Sequence, residues 1–189
     1  MANARYLDTL RKTHADLTRS RRLLQDISAR AQRLSKQAIF SLQRNEAPAA
    51  KKLLKEASDA IADGARLVVR IPRISSEGMW RAALEEYCEA VFFERAATGA
   101  ALFAPITVTK DTEILIGALS DAVGEMVRLA VKSVIDGKVS EVARLYDLAE
   151  ETVGFILSLD LTGSLRSKVD QARSHLRRLD DIRYDVAKR

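Results

Sequence analysis

Two carboxylates, Glu86 and Glu89, sit in the middle of the stretch Leu84-Glu85-Glu86-Tyr87-Cys88-Glu89-Ala90-Val91-Phe92-Phe93. On a helix they are i, i+3 neighbours, about 5–6 Å apart at Cβ and on one face. No basic residue lies within helical reach of either. Glu86 meets Ala82, Ala83, Glu89 and Ala90, and Glu89 meets Glu85, Glu86, Phe92 and Phe93. The row they interrupt, Met79, Ala82, Phe93 and Ala97, is apolar and is expected to pack inward. Unpaired carboxylates on such a face cost on the order of several kcal/mol unless a cation meets them, and a divalent metal ion is the expected one. One such pair by itself is ordinarily a solvated helix face, so the reading needs a second feature.

A second acidic pair supplies it. Between Ile114 and Val127 the charged residues are Asp121 and Glu125, i and i+4 on one helical face. Gly117, Ala118 and Gly124 surround them and let another helix or a ligand approach the backbone closely. Arg128 at i+3 can neutralise Glu125, whereas Asp121 has no such neighbour. Four hard oxygen ligands on two helices suit Mg²⁺ or Mn²⁺ rather than zinc, which favours His and Cys. His14 and His175 stand alone, which argues against a di-iron Glu-x-x-His site, and Cys88 is expected to be a packed thiol. Metal-held carboxylates beside arginines can acidify an attacking water and stabilise the charge of phosphodiester hydrolysis. The chain carries no P-loop, no Gly-rich dinucleotide turn and no Ser-His-Asp arrangement, so nucleotide-driven and serine chemistry are not expected.

The elements that must position these acids read as long helices. From Ala4 to about Arg44, Leu10, Leu17, Leu24, Ala31 and Ala38 recur every seven residues, with Leu7, Ile27, Leu34 and Leu42 beside them. The spacing predicts one amphipathic helix of about 60 Å, too long for a chain of this size to cover from one side. A second subunit or several helices should flank it. Its polar face is arginine-dense, including Arg11, Arg19, Arg22, Arg30, Arg33 and Lys36. A second helix opens near Pro48 and runs to about Arg70 with Leu53, Leu54, Ala57, Ile61, Ala65, Val68 and Val69 facing in. Ser75-Ser76-Glu77 offers an N-cap for the third, which carries Glu86 and Glu89 and stops near Gly99. Residues 100–110 contain Pro105 and the β-prone Ile106-Thr107-Val108, but one isolated strand makes no sheet, and the segment reads as a loop. The fourth helix spans Asp111 to Asp136. Ser140 caps a fifth that runs to about Leu159, with Leu157 on its apolar face, and a sixth runs from Leu165 to about Lys188.

Composition sets the frame. A chain of 189 residues, 47% of them hydrophobic, fits one all-α domain over 1–189. There is no run of eighteen apolar residues and no leader at Met1, so neither a membrane span nor export is expected. A single cysteine fits a reducing, cytoplasmic setting. The net charge of +5 is unevenly spread: ten Lys/Arg against three Asp over 1–44 give +7, eight against four over 163–189 give +4, and the middle is left with −6. Basic ends could grip a polyanion while an acidic, metal-loaded centre acts on it.

These residues resemble the translin family, more closely its translin-associated factor X (TRAX) branch. The likeness rests on Arg22-Leu23-Leu24-Gln25-Asp26-Ile27-Ser28, Ala38-Ile39-Phe40, Leu84 to Val91, Gly124-Glu125-Met126-Val127-Arg128 with Ser133-Val134, and Leu179 to Arg189 with Tyr184-Asp185-Val186. The resemblance implies an up-down bundle of six to seven long helices. It also implies a metal-dependent ribonuclease site at Glu86, Glu89 and Asp121, with Glu125 as the matching later glutamate. Trp80-Arg81 looks like a tryptophan-arginine step associated with RNA binding, which makes Arg81 a candidate contact beside Arg19 and Arg22. A closed homo-oligomer, an octamer, would enclose single-stranded RNA, or single-stranded DNA, and cut it inside. The short 99–111 linker and the lack of nuclear signals fit an archaeal or bacterial member.

Three classes therefore stand: a Mg²⁺-dependent, single-strand-selective endoribonuclease; a non-catalytic nucleic-acid-binding oligomer whose acids are structural; and a metal-binding regulatory bundle of the PhoU type, whose repeated acid-rich motifs are not evident. The first is the leading expectation.

Overall fold

The computed structural model describes residues 2–188. Met1 and Arg189, at the ends of the single domain expected over 1–189 and, for Arg189, of the last resembling stretch, lie outside them. Six α-helices follow one another: α1 (Ala2–Gln43), α2 (Ala47–Arg70), α3 (Gly78–Thr98), α4 (Thr112–Ile135), α5 (Val139–Leu157) and α6 (Gly163–Ala187). A 3₁₀ turn, Pro72–Ile74, separates α2 from α3. There is no strand among the described residues, and 100–111 is a loop.

Local chemistry explains the boundaries. Pro48 lies in the first turn of α2, where a missing N–H is harmless. Gly99 ends α3 at φ 75°, a left-handed conformation that a Cβ would disfavour. Asp111 caps α4 by accepting hydrogen bonds from the N–H groups of Glu113 and Ile114. Two expected caps differ. The N-cap of α3 falls on Glu77 of Ser75-Ser76-Glu77 but makes no side-chain capping hydrogen bond, and α5 starts at Val139, before Ser140.

The bundle has two halves. α1 packs on α2 and α3, α4 packs on α5 and α6, and the α3–α4 seam joins them. Leu24, Ala31, Ala38 and Leu42 of α1 are buried, as are Phe93, Met126, Leu145, Val153 and Leu179. The seven-residue row of α1 is covered only in part. Residues 3–16 are all exposed, with Leu10 48% exposed, because α2 and α3, at 24 and 21 residues, cannot flank a 42-residue helix. Val69 and Leu157 also face outward rather than inward, at 79% and 50% exposure. The 100–111 loop is fastened by Leu102, which is buried, and by Arg95, whose guanidinium donates to the carbonyls of Leu102, Ala104 and Pro105.

Candidate metal and nucleic-acid site

The acids meet at the α3–α4 seam. The core face of α3 is Trp80, Ala83, Leu84, Cys88, Phe92, Phe93 and Ala96, so Glu86 and Glu89 lie at its edge, half-buried. This corrects the expected inward row: Met79 and Ala82 are exposed, and the carboxylates border the core without entering it. On α4, Asp121 is half-buried and Glu125 buried at 8% exposure. Small residues make the approach possible. A Cβ on Gly117 would stand 3.1 Å from the carboxyl carbon of Glu85, and one on Gly124 would stand 3.1 Å from Nε2 of His175.

Counter-ions come from other helices. Lys36 of α1 places Nζ 3.3 Å from Oε2 of Glu86. Glu125 accepts from Arg128 at 2.8 Å and, on its other oxygen, from the Gln43 amide. Lys168 of α6 bonds both Asp121 and Glu85. Asp121, without a partner on its own helix, therefore has one in space. Glu89 has none among the described residues. Burial first, and then Glu86, Asp121 and Glu125, push its pKa up to about 8 against the pull of Lys168. Burial also raises Glu86, with Lys36 opposing it and Asp121 and Glu125 adding to the rise. Burial works against the Lys168 charge, yet its bonds to Asp121 and Glu85 hold its pKa above the usual lysine value.

Two cavities open onto these groups. One, of about 410 Å³, is lined by Glu86, Glu89 and Glu125 with Lys36, Gln43 and Arg128. The other, of about 200 Å³, is lined by Asp121, Glu89 and Glu125 with Arg128, Gln171 and His175. Glu89, Glu125 and Arg128 border both, so each of the four predicted acids lines at least one of two adjacent cavities. Hard oxygen donors and an unneutralised Glu89 are the chemistry a divalent ion accepts. The cage is not closed, however. Among the described residues no three His, Cys, Asp or Glu side chains converge as a metal-ligand group, and Glu86 and Asp121 lean on lysines instead.

The predicted RNA contacts lie elsewhere. Arg19 and Arg22 are exposed on α1, Arg19 loosely paired with Asp16 at 3.8 Å. Arg22 precedes Lys36 by fourteen positions, about 20 Å along the same helix. Arg81 is engaged by Asp111 and Glu113, tying α3 to the start of α4, and the Trp80 ring is buried against Gly64. None of the three arginines lines either acid cavity. Cys88 is buried and its thiol is pushed up to about 12, mainly by burial, and His14 is exposed. The sequence reading missed Glu85, Lys168, Gln171 and His175 as site groups. Lys168, Gln171 and His175 are i, i+3 and i+7 on α6, a polar stripe beside the buried Val169, Ala172 and Leu179, and that spacing was the available signal.

An all-helical bundle with an acid-lined seam between basic helices is a narrow class of architecture. The chain belongs to the Translin family, whose model matches residues 19–189. It is similar to the crystal structure of AfC3PO, with a TM-score of 0.87, 22% identity, and 96% of this chain and 97% of that chain covered. It is also similar to apo-NeC3PO, with a TM-score of 0.86, 22% identity, and 95% and 96% covered. The complex of AfC3PO with duplex RNA matches with a TM-score of 0.83, 21% identity, and 96% of both chains covered. These likenesses establish the fold. No curated protein matches the chain.

Proposed function

We propose that this chain is a metal-dependent endoribonuclease that hydrolyses phosphodiester bonds of single-stranded RNA inside a closed homo-oligomer. The observation that carries the reading is Glu89: a half-buried carboxylate without a cation among the described residues, lining one cavity with Glu86 and Glu125 and a second with Asp121 and Glu125. With all side chains ionised, Glu85, Glu86, Glu89, Asp121 and Glu125 outnumber Lys36, Arg128 and Lys168 by two charges, the charge of one divalent ion. Mg²⁺ or Mn²⁺, held by Glu86, Glu89, Asp121 and Glu125, would supply an acidified water and charge stabilisation. Lys36 and Arg128 at the cavity rim would hold the flanking phosphates. Arg19 and Arg22 would guide the strand along α1, with Arg81 a further contact if it leaves Asp111.

Assembly fits the exposed residues 3–16, where Tyr6 and Leu7 are 64% and 59% exposed and further copies would cover them; an octamer is the proposed form. No described helix is long and apolar enough to cross a membrane. A reduced, buried Cys88 agrees with a cytoplasmic setting.

A second reading has its own support. The Lys36–Glu86 and Lys168–Asp121 pairs satisfy two of the acids without a metal, as a non-catalytic RNA-binding or single-stranded-DNA-binding oligomer would require. Labelled single-stranded RNA incubated with Mg²⁺, and separately with EDTA, decides between them. The nuclease shortens the RNA only with Mg²⁺, and Glu89→Gln abolishes cutting while keeping helicity and binding. RNA that is shifted but never shortened leaves the second reading. The solved AfC3PO complex holds duplex RNA, so a duplex belongs in the same assay.

A further inference from the structure

Phe40 is a large aromatic side chain left 59% exposed in the last turn of α1, at the far end from the free N-terminal turns. It is flanked by Lys36, which pairs with Glu86, and by Arg44, which follows the end of α1 and pairs with Glu46. Lys36 is one turn before it, and the Arg44 guanidinium one turn after lies 5.6 Å from the ring centroid. The ring borders a groove of about 600 Å³, lined by Arg33, Lys36, Gln37, Phe40, Ser41 and Leu53. It also borders the acid cavity, and Lys36 lines both with it.

We infer that Phe40 is a stacking platform for one unpaired nucleobase, seated in the groove beside the acid cavity so that the adjoining phosphate enters that cavity. This rests on the RNA-cleaving reading above and names how the strand is held. A flat apolar ring suits the face of any base, and cations on both sides of it suit the phosphates on either side of one nucleotide. Gln37 and Ser41 offer amide and hydroxyl groups to the base edge. A purely apolar partner would leave Arg33, exposed in the groove and in no ion pair among the described residues, desolvated without counter-charge, whereas a nucleotide strand supplies it. Because a base within a duplex is already stacked and paired, the platform selects single strands.

The test uses the full chain in EDTA, so that nothing is cut. A fluorescent single-stranded oligoribonucleotide and its duplex are titrated by anisotropy against the wild type, Phe40→Ala and Phe40→Trp. Phe40→Ala is expected to lose about tenfold in single-strand affinity and to leave duplex affinity unchanged. Phe40→Trp should restore the affinity and show fluorescence quenched by the oligonucleotide, against a background from the chain's one native tryptophan, Trp80, which is buried. Equal single-strand affinity for wild type and Phe40→Ala would overturn the platform and leave the nuclease reading standing. Wild type that binds no RNA would overturn both. A Phe40→Ala protein that elutes as a smaller assembly would mean that a second copy covers the ring, and would overturn the platform as well.

Discussion

The ammonium of Lys168 on α6 bonds the carboxylate of Asp121 on α4, and the same ammonium holds Glu85 on α3. Three helices are joined through one half-buried charge. The side chains are 24% to 30% exposed, too enclosed for a solvent-screened surface pair and too open for the full penalty of a buried one. Lys168→Met leaves Glu85 and Asp121 facing each other without a counter-charge. We expect it to lower stability by about 2 kcal/mol in urea denaturation. Adding Asp121→Asn to Lys168→Met should cost less than the two single losses summed, because the pair is removed together. Strict additivity would mean that the bridge contributes nothing.

The pKa of Glu89, raised to about 8, gives stability a definite dependence on pH. Between the ordinary carboxylate range and pH 8, the folded chain keeps a proton that the unfolded chain has released. The folded state binds more protons there, so stability falls as pH rises through that window. Glu89→Gln removes the effect. It is expected to exceed wild type in stability by about 2 kcal/mol at pH 8, or roughly 4–8 °C in Tm, with the advantage shrinking towards pH 5. Thermal melts of both proteins from pH 5 to 8 in EDTA measure this. In Mn²⁺ the wild type should gain Tm, more at pH 8 than at pH 5.5, because protons compete with the ion for Glu89, and Glu89→Gln should gain less. Parallel curves for the two proteins in EDTA would show that Glu89 titrates as an ordinary surface acid.

Gly64 is required by its neighbour rather than by its backbone. A Cβ at this position in α2 would run into the six-membered ring of Trp80, which is 5% exposed and forms part of the core. Gly64→Ala gains helix propensity but forces the indole to move, and overpacking of this kind costs about 1–3 kcal/mol. A lower urea midpoint accompanied by a red-shifted Trp80 emission is the expected result. Unchanged emission with higher stability would mean that the ring shifts without strain.

Most of the helical order was legible before any coordinates. The apolar period, Pro48 and Gly99 act within a few residues of themselves, so the helices fall close to where the sequence puts them. Cys88 as a packed thiol is local in the same sense, since its face follows from its own helix. Burial was less legible. Periodicity says that Leu10, Val69 and Leu157 are on an apolar row, but whether a neighbour reaches far enough to cover that row depends on helix lengths and on where the helices cross.

The sequence by itself determined which helices exist and which of them carry the acids, because helix formation and side-chain facing repeat every 3.6 residues and need no distant partner. The tertiary structure alone decided the charge balance of the site. Lys36 and Gln43 reach it from α1 and Lys168 from α6, while Arg81 is drawn off by Asp111 and Glu113. Those pairings depend on the distance between side chains on different helices. Attraction between charges that are remote in sequence is set by how the helices pack, and a helical wheel holds no record of that.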